Sequence, residues 1–154
     1  MKTPNSETYR SHSVTTKSGH RFLEFGVRSC QNARLVLSTV NFGVPLYEIV
    51  LGSDGNTKSK VIRYEDDGSG NWNSSLKAEE TTPGVIDCLQ SRWFWLSWNG
   101  GLIEVARGSA SGQRFLSWQD DSPHNVFAVS FSTGPGDFGD WTYLYTSGDY
   151  YFCY

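Results

Sequence analysis

The sequence is short of features that several classes of protein require. It contains 13 Lys and Arg against 16 Asp and Glu, a formal net charge of −3, and only three His. No basic stripe is present to neutralise phosphates, so no nucleic-acid partner is expected. No apolar run approaches the roughly 20 residues that a bilayer-spanning helix needs, so no membrane insertion is expected.

Cysteine is also scarce, and the count of three is odd. Such a count allows one bridge within the chain, assigned to Cys30 and Cys88, and one thiol, Cys153, that links two chains in a dimer. The alternative is three reduced cysteines in a cytosolic protein. The polar N-terminus shows no signal-peptide pattern, so it suits a cytosolic start or a mature secreted chain with an added initiator Met.

Helical periodicity is missing as well, and short apolar–polar alternations take its place. The predicted strands are 22–27, 33–40, 45–51, 60–64, 84–88, 93–98, 102–107, 114–118, 125–132, 141–145 and 150–153. About ten short strands at near-even spacing indicate an all-β antiparallel sandwich or jelly roll. Residues 1–20 have no pattern and are predicted to form a flexible arm, which leaves residues 21–154 as a single domain.

What the chain has in abundance is aromatic residues, and three of its six tryptophans lie in one strand. Alternate residues of a strand share a face, so Trp93 and Trp95 point one way and Phe94 and Trp98 the other. Both faces are apolar, which predicts a central strand covered on both sides. Trp98 lies beside the predicted Asn99–Gly100 turn, so it is the ring expected to be partly exposed.

From about Arg21 to Trp141 the sequence resembles the farnesoic acid O-methyltransferase domain. The segments that carry the resemblance are Leu46–Arg63, Arg92–Gly108, Phe115–Asp120 and Val129–Trp141. The resemblance implies a β-sandwich in extracellular or surface use. Methyl transfer is not expected despite the family name, because the strand, Gly-rich turn and helix of a Rossmann-type methyltransferase are missing.

The chain departs from the family pattern by adding acidic residues to its loops. Asp54, Asp137 and Asp140 are such additions, and the loop from Glu65 to Trp72 is not a family feature. In places the chain also resembles marine-invertebrate lectins, sea-anemone types among them. That similarity implies sugar recognition assisted by calcium.

Calcium takes six to eight oxygen ligands, which clustered loop carboxylates supply. If successive strands alternate in direction, two groups of loop acids form at opposite ends of the sandwich. The predicted metal ligands are Asp66, Asp67, Asp120 and Asp121, with Asp54, Asp137 and Asp140 as the alternative cluster. No spacing matches an EF-hand, and solvated acidic loops are the competing interpretation for each residue.

A sugar needs a flat ring beneath its apolar C–H face and directional partners for its hydroxyls. Trp72 has polar neighbours, so it is the predicted platform, with Asn71 and His124 beside it. The competing interpretation makes Trp72 a staple that packs the loop onto the sheet. Catalysis is not expected, because the His residues and adjacent Asp pairs match no catalytic arrangement.

The sequence therefore predicts a secreted, calcium-dependent lectin for galactose-containing glycans, cross-linking them as a dimer joined through Cys153. A protein-interaction module of the same fold is the first alternative. A methyltransferase, as the family name suggests, is the second.

Overall fold

The computed structural model describes residues 2–3, 14–15, 21–38 and 45–144. Within these ranges the chain forms twelve strands and one helical turn. The strands are β1 (Lys2–Thr3), β2 (Val14–Thr15), β3 (Phe22–Arg28), β4 (Ala33–Ser38), β5 (Pro45–Gly52), β6 (Lys58–Asp66), β7 (Trp72–Thr81), β8 (Arg92–Asn99), β9 (Leu102–Arg107), β10 (Arg114–Gln119), β11 (Ala128–Thr133) and β12 (Gly139–Leu144). The helical turn is α1 (Ser53–Asn56), between β5 and β6.

The strands form two six-stranded sheets. Sheet A has the order β1-β12-β3-β8-β9-β10, and sheet B has the order β2-β11-β4-β5-β6-β7. Every neighbouring pair is antiparallel, which confirms the predicted all-β sandwich. In the central strands alternate side chains point inward, and Phe25, Phe94 and Phe131 are fully buried in the layer between the sheets.

A disulfide joins Cys30, after β3, to Cys88, before β8. It confirms the bridge assigned from the sequence. A cross-link between residues separated by 58 positions restricts the unfolded chain and contributes about 4 kcal/mol in the chain-entropy model. Cys153, the predicted link between chains, lies outside the described residues.

The tryptophan-rich strand β8 pairs with β3 on one side and β9 on the other, so it is central in sheet A as predicted. Trp98 points inward and is only 4% exposed, so the prediction that its ring is partly exposed is wrong. Trp93 points outward and is 39% exposed, so the prediction that both faces are covered is wrong. The turn that follows uses Gly100 and Gly101, both at positive φ, rather than Asn99 and Gly100.

Two predicted elements differ from the structure. Residues 84–88 form a loop and not a strand, although Val85 and Ile86 are buried. The Asn56 side chain accepts from the Ile86 amide and donates to the Ile86 carbonyl, so it takes the place of a strand partner. Strand β7 was not predicted, because its largely exposed residues show no apolar alternation. The predicted strand 150–153 lies outside the described residues.

Part of the segment predicted as an arm pairs with the sheets. Lys2–Thr3 pairs with β12, and Val14–Thr15 pairs with β11. Over the ranges that the structure describes, it contains no helix with the length and apolar character needed to cross a membrane.

Candidate functional site

The hairpin of β6 and β7 carries Trp72 at the point where β7 begins. Trp72 pairs directly with Asp66, the last residue of β6, and its side chain is 39% exposed. Paired residues of adjacent strands share a face, with Cβ atoms about 5 Å apart. An exposed indole ring and an exposed carboxylate therefore stand side by side on the outer face of sheet B.

The loop between them is held by its own hydrogen bonds. The Asp67 amide donates to the Asn71 carbonyl, and the Asp67 carboxylate accepts from the Ser69 and Asn71 amides. The bonds from Ser69 and from the Asn71 side chain hold the pKa of the Asp67 carboxyl below its usual range. These hydrogen bonds give the loop a defined shape next to Trp72.

Further along the same face, Tyr64 lies one strand over from Trp72 and roughly 8 Å away between Cα atoms. Its hydroxyl donates to Glu48 Oε2 over 2.8 Å. Glu48 is 3% exposed, and its other carboxylate oxygen lies 3.2 Å from Nη1 of Arg34. Glu48 therefore fixes the Tyr64 hydroxyl and the half-buried Arg34 guanidinium without itself facing solvent.

We call this surface the Trp72 face. Its residues are Trp72 and Ser74 on β7, Tyr64 and Asp66 on β6, Glu48 on β5 and Arg34 on β4. They combine the exposed Trp72 ring, the exposed Ser74 hydroxyl and Asp66 carboxylate, and the Arg34 guanidinium paired with Glu48. This arrangement suits a neutral ligand with one apolar side and several hydroxyl groups.

Four buried polar atoms in the described part of the chain form no hydrogen bond. They are Arg34 Nε, Ser38 Oγ, Glu48 Oε1 and Ser132 Oγ. Register places all four on the outer face of sheet B, on the adjacent strands β11, β4 and β5. Glu48 Oε1 is ion-paired with Arg34 Nη1, and together the four atoms make this strip of sheet B polar.

Asp120, a predicted metal ligand, instead forms a buried ion pair. Its Oδ2 accepts from Tyr47 Oη and from Arg63 Nε, each over 2.7 Å, and its Oδ1 accepts from the Ser122 amide. Burial acts to raise the pKa of the Asp120 carboxyl, but these bonds and the Arg63 charge outweigh it and lower the pKa. Burial, followed by the bond to Asp120, raises the pKa of Tyr47 to about 12.

His124, a predicted sugar ligand, joins the same network. Its amide donates to the Tyr47 hydroxyl over 2.8 Å, and its Nε2 lies 3.1 Å from the Tyr64 carbonyl oxygen. Its ring also packs against Tyr47. These contacts make His124 a residue that holds the loop before β11 against sheet B, beside the Trp72 face.

The predicted acidic residues do not converge. Asp66 accepts from the Gly68 amide, Asp67 bonds within its own loop, and Asp121 is exposed. Among the described residues, no group of three or more His, Cys, Asp or Glu side chains could hold a metal ion.

The alternative acidic cluster lies at the opposite end of the sandwich. Asp137 accepts from the Asn32 side chain, and Asp140 forms an ion pair with Arg28. Both acids line a hollow of about 350 Å³ beside the disulfide. Asp54 is bound instead by Lys60. Backbone bonds from Asn32 to Gly52 and from Gly134 to Asn32 bring these loops together, while Asp120 and His124 contact the other end, so the predicted division is confirmed for the described loops.

Sequence reasoning missed Arg34, Glu48 and Tyr64. The available signal was a charged residue in the middle of an otherwise apolar strand, in Ala33–Ser38 and again in Pro45–Gly52. Charged residues are rarely buried unless paired, so two of them in neighbouring strands indicated a polar surface on one face.

The sandwich belongs to a widely shared class of fold. Galectin LEC-6 of Caenorhabditis elegans is 15% identical, with a TM-score of 0.55 over 91% of this chain and 92% of that one. Galectin-Ib of Xenopus laevis is 13% identical, with a TM-score of 0.54 over 92% and 98%. A family 16 glycoside hydrolase from the mixed-linkage glucan PUL of Bacteroides ovatus is 9% identical, with a TM-score of 0.55 over 85% and 71%. At these identities the likeness shows a galectin-like β-sandwich.

The sequence comparison identifies the family of the chain. The family model described as farnesoic acid O-methyl transferase matches residues 4–146. The chain therefore belongs to this family, which confirms the resemblance found in the sequence. No curated protein matches the chain.

Proposed function

We propose that this protein binds carbohydrate on the Trp72 face, with β-galactosides as the ligand class. The observation that carries the proposal is the exposed Trp72 ring directly opposite the exposed Asp66 carboxylate. The galectin-like fold and the neighbouring galectins support it.

The chemistry follows from the shape of a pyranose. Galactose has a C–H face that packs on the Trp72 ring, and a hydroxyl edge that donates to Asp66 and Tyr64. A hydrogen bond to a charged group contributes about 1.5–3 kcal/mol, while one to a neutral group contributes about 1 kcal/mol. Arg34 lies roughly 25 Å from Trp72 between Cα atoms by strand spacing, so only an oligosaccharide reaches both.

Titration calorimetry with lactose tests this proposal. We expect Trp72→Ala to abolish measurable binding and Asp66→Asn to weaken it about tenfold, the equivalent of one charged hydrogen bond. Leu89→Ala is the matched control, because it removes an apolar side chain that is 83% exposed in a different loop. Unchanged lactose binding in Trp72→Ala would show that the Trp72 face is not the site.

Calcium dependence, secretion and a Cys153-linked dimer belong to the same proposal and need their own measurements. In this proposal calcium binds at loop acids beside the ring, such as Asp66, and raises the affinity for the sugar. Lactose binding in EDTA equal to that in calcium would remove calcium from the proposal. A non-reducing gel that shows only monomer would remove the covalent dimer.

Methyl transfer is the competing function, and the family description is what favours it. Incubation with S-adenosylmethionine and farnesoic acid tests it directly. Formation of the methyl ester would show a different activity in this chain. That activity would be separate from sugar binding if substitutions on both sheet faces left it unchanged.

A further inference from the structure

The outer face of sheet A carries a cleft on the side of the sandwich opposite the Trp72 face. Its volume is about 440 Å³, within the range of small-ligand sites. The exposed ring of Phe22 on β3 and the largely buried ring of Trp95 on β8 form its aromatic wall, with ring centroids 6.4 Å apart. The guanidinium carbon of Arg114 lies 4.7 Å from the Trp95 ring centroid and covers one side of this ring, so Phe22 provides most of the exposed aromatic surface.

Polar groups line the rest of the cleft. Ser97 and Asn99 follow Trp95 on the same face of β8, and Glu104 pairs with Ser97 from β9. The Asn99 carboxamide and the guanidinium of Arg21 form no hydrogen bond within the described residues. Glu104 forms an ion pair with Arg114 over 3.8 Å, longer than a hydrogen bond, so its carboxylate oxygens can still accept from a ligand.

The charges of the cleft favour an uncharged ligand. The Arg21 guanidinium and the Glu104 carboxylate line the opening, and a second guanidinium, from Arg114, lies over Trp95 and beside Glu104, so charges of both signs meet here. A phosphate would meet Glu104 and an ammonium would meet Arg21, whereas a hydroxyl both donates to the carboxylate and accepts from the guanidinium. An aromatic wall opposite such groups matches a neutral pyranose, which has one C–H face and a hydroxyl edge.

We infer that this cleft is a second saccharide site, lined by Phe22, Trp95, Asn99, Glu104 and Arg21. The ligand class rests on the proposed function, while the location does not. Because the inner faces of the two sheets pack together, the cleft and the Trp72 face point in opposite directions. A single chain would then bind two glycans and cross-link them without any dimer.

Amide and indole NMR shifts of the ¹⁵N-labelled full chain, titrated with lactose, test the inference. We expect two separate groups of shifted signals, one including the Trp72 indole and the other the Trp95 indole. The double variant Phe22→Ala with Glu104→Gln should remove only the second group, and Trp72→Ala should remove only the first. Leu89→Ala is the control that should leave both groups unchanged.

The outcomes separate the two proposals. Shifts confined to the Trp72 face would overturn the second site and leave the proposed function standing. Shifts confined to the sheet A cleft would support the second site and overturn the Trp72 face as a site. No shifts on either face would overturn both. Loss of both groups in the Phe22 and Glu104 variant, with the amide spectrum otherwise native, would also overturn two independent sites.

Discussion

At one end of the sandwich the Cys30–Cys88 disulfide joins the loop after β3 to the loop before β8. At the other end Asp120, buried between Tyr47 and Arg63, ties the loop after β10 to sheet B. The first closure is covalent and does not titrate, whereas the second depends on charge. Trp72 lies at the charged end but takes no part in that closure. Cys30, Cys88 and Asp120 therefore stabilise the fold, whereas Trp72 is available to contact a ligand.

Breaking the covalent closure should have the largest effect. The double variant Cys30→Ala with Cys88→Ala should lower the free energy of unfolding by about 4 kcal/mol. Urea denaturation measures this loss. A reductant should destabilise the wild type by a similar amount and leave the variant unchanged. A loss below about 1 kcal/mol would show that this end is closed mainly by the burial of Val85 and Ile86.

Breaking the charged closure should cost somewhat less. Asp120→Asn leaves the Arg63 guanidinium buried with a weakened partner, so we expect a loss of about 3 kcal/mol. Asp121→Asn is the matched control, because Asp121 is the next residue and is exposed. Equal effects of the two substitutions in urea denaturation would contradict the structural role assigned to Asp120.

The two ends should also respond differently to pH. The pKa of Asp120 is lowered on folding, so its contribution is present above the unfolded value of about 3.9 and is lost as pH falls through the folded value. The pKa of Tyr47 is raised to about 12, so its contribution is present below about 10 and is lost as pH rises from there. Thermal melting from pH 2 to pH 12 measures both limbs. Asp120→Asn should flatten the acid limb, while the cysteine variant should keep it.

The smallest effect on stability is expected at Trp72. Because the ring is partly exposed and outside the core, Trp72→Ala should change the free energy of unfolding by less than about 0.5 kcal/mol. Trp98→Ala, which empties a core site, should cost about 3–5 kcal/mol and provides the contrast. If both variants lost similar stability in urea denaturation, Trp72 would be a staple for the β6–β7 hairpin.

Much of the architecture could be predicted because it depends on local pattern. Apolar alternation identified β3, β5, β9 and β10 nearly to the residue. It failed for β7, whose pairing with β6 stabilises a strand that has no apolar face of its own. It also failed at Val85 and Ile86, which are buried from a loop whose amide and carbonyl are satisfied by Asn56. An alternating apolar pattern indicates which residues are buried, and a buried residue can lie in a loop as well as in a strand.

The sequence by itself determined the sandwich, and it indicated a Cys30–Cys88 bridge and Trp72 as a candidate ring. Only the tertiary structure decided which carboxylates serve the fold. Asp120 and Asp66 are alike as residues, yet one is buried against Arg63 and the other stands exposed beside Trp72. The physical reason is that the state and availability of a carboxylate depend on partners and water brought by distant strands.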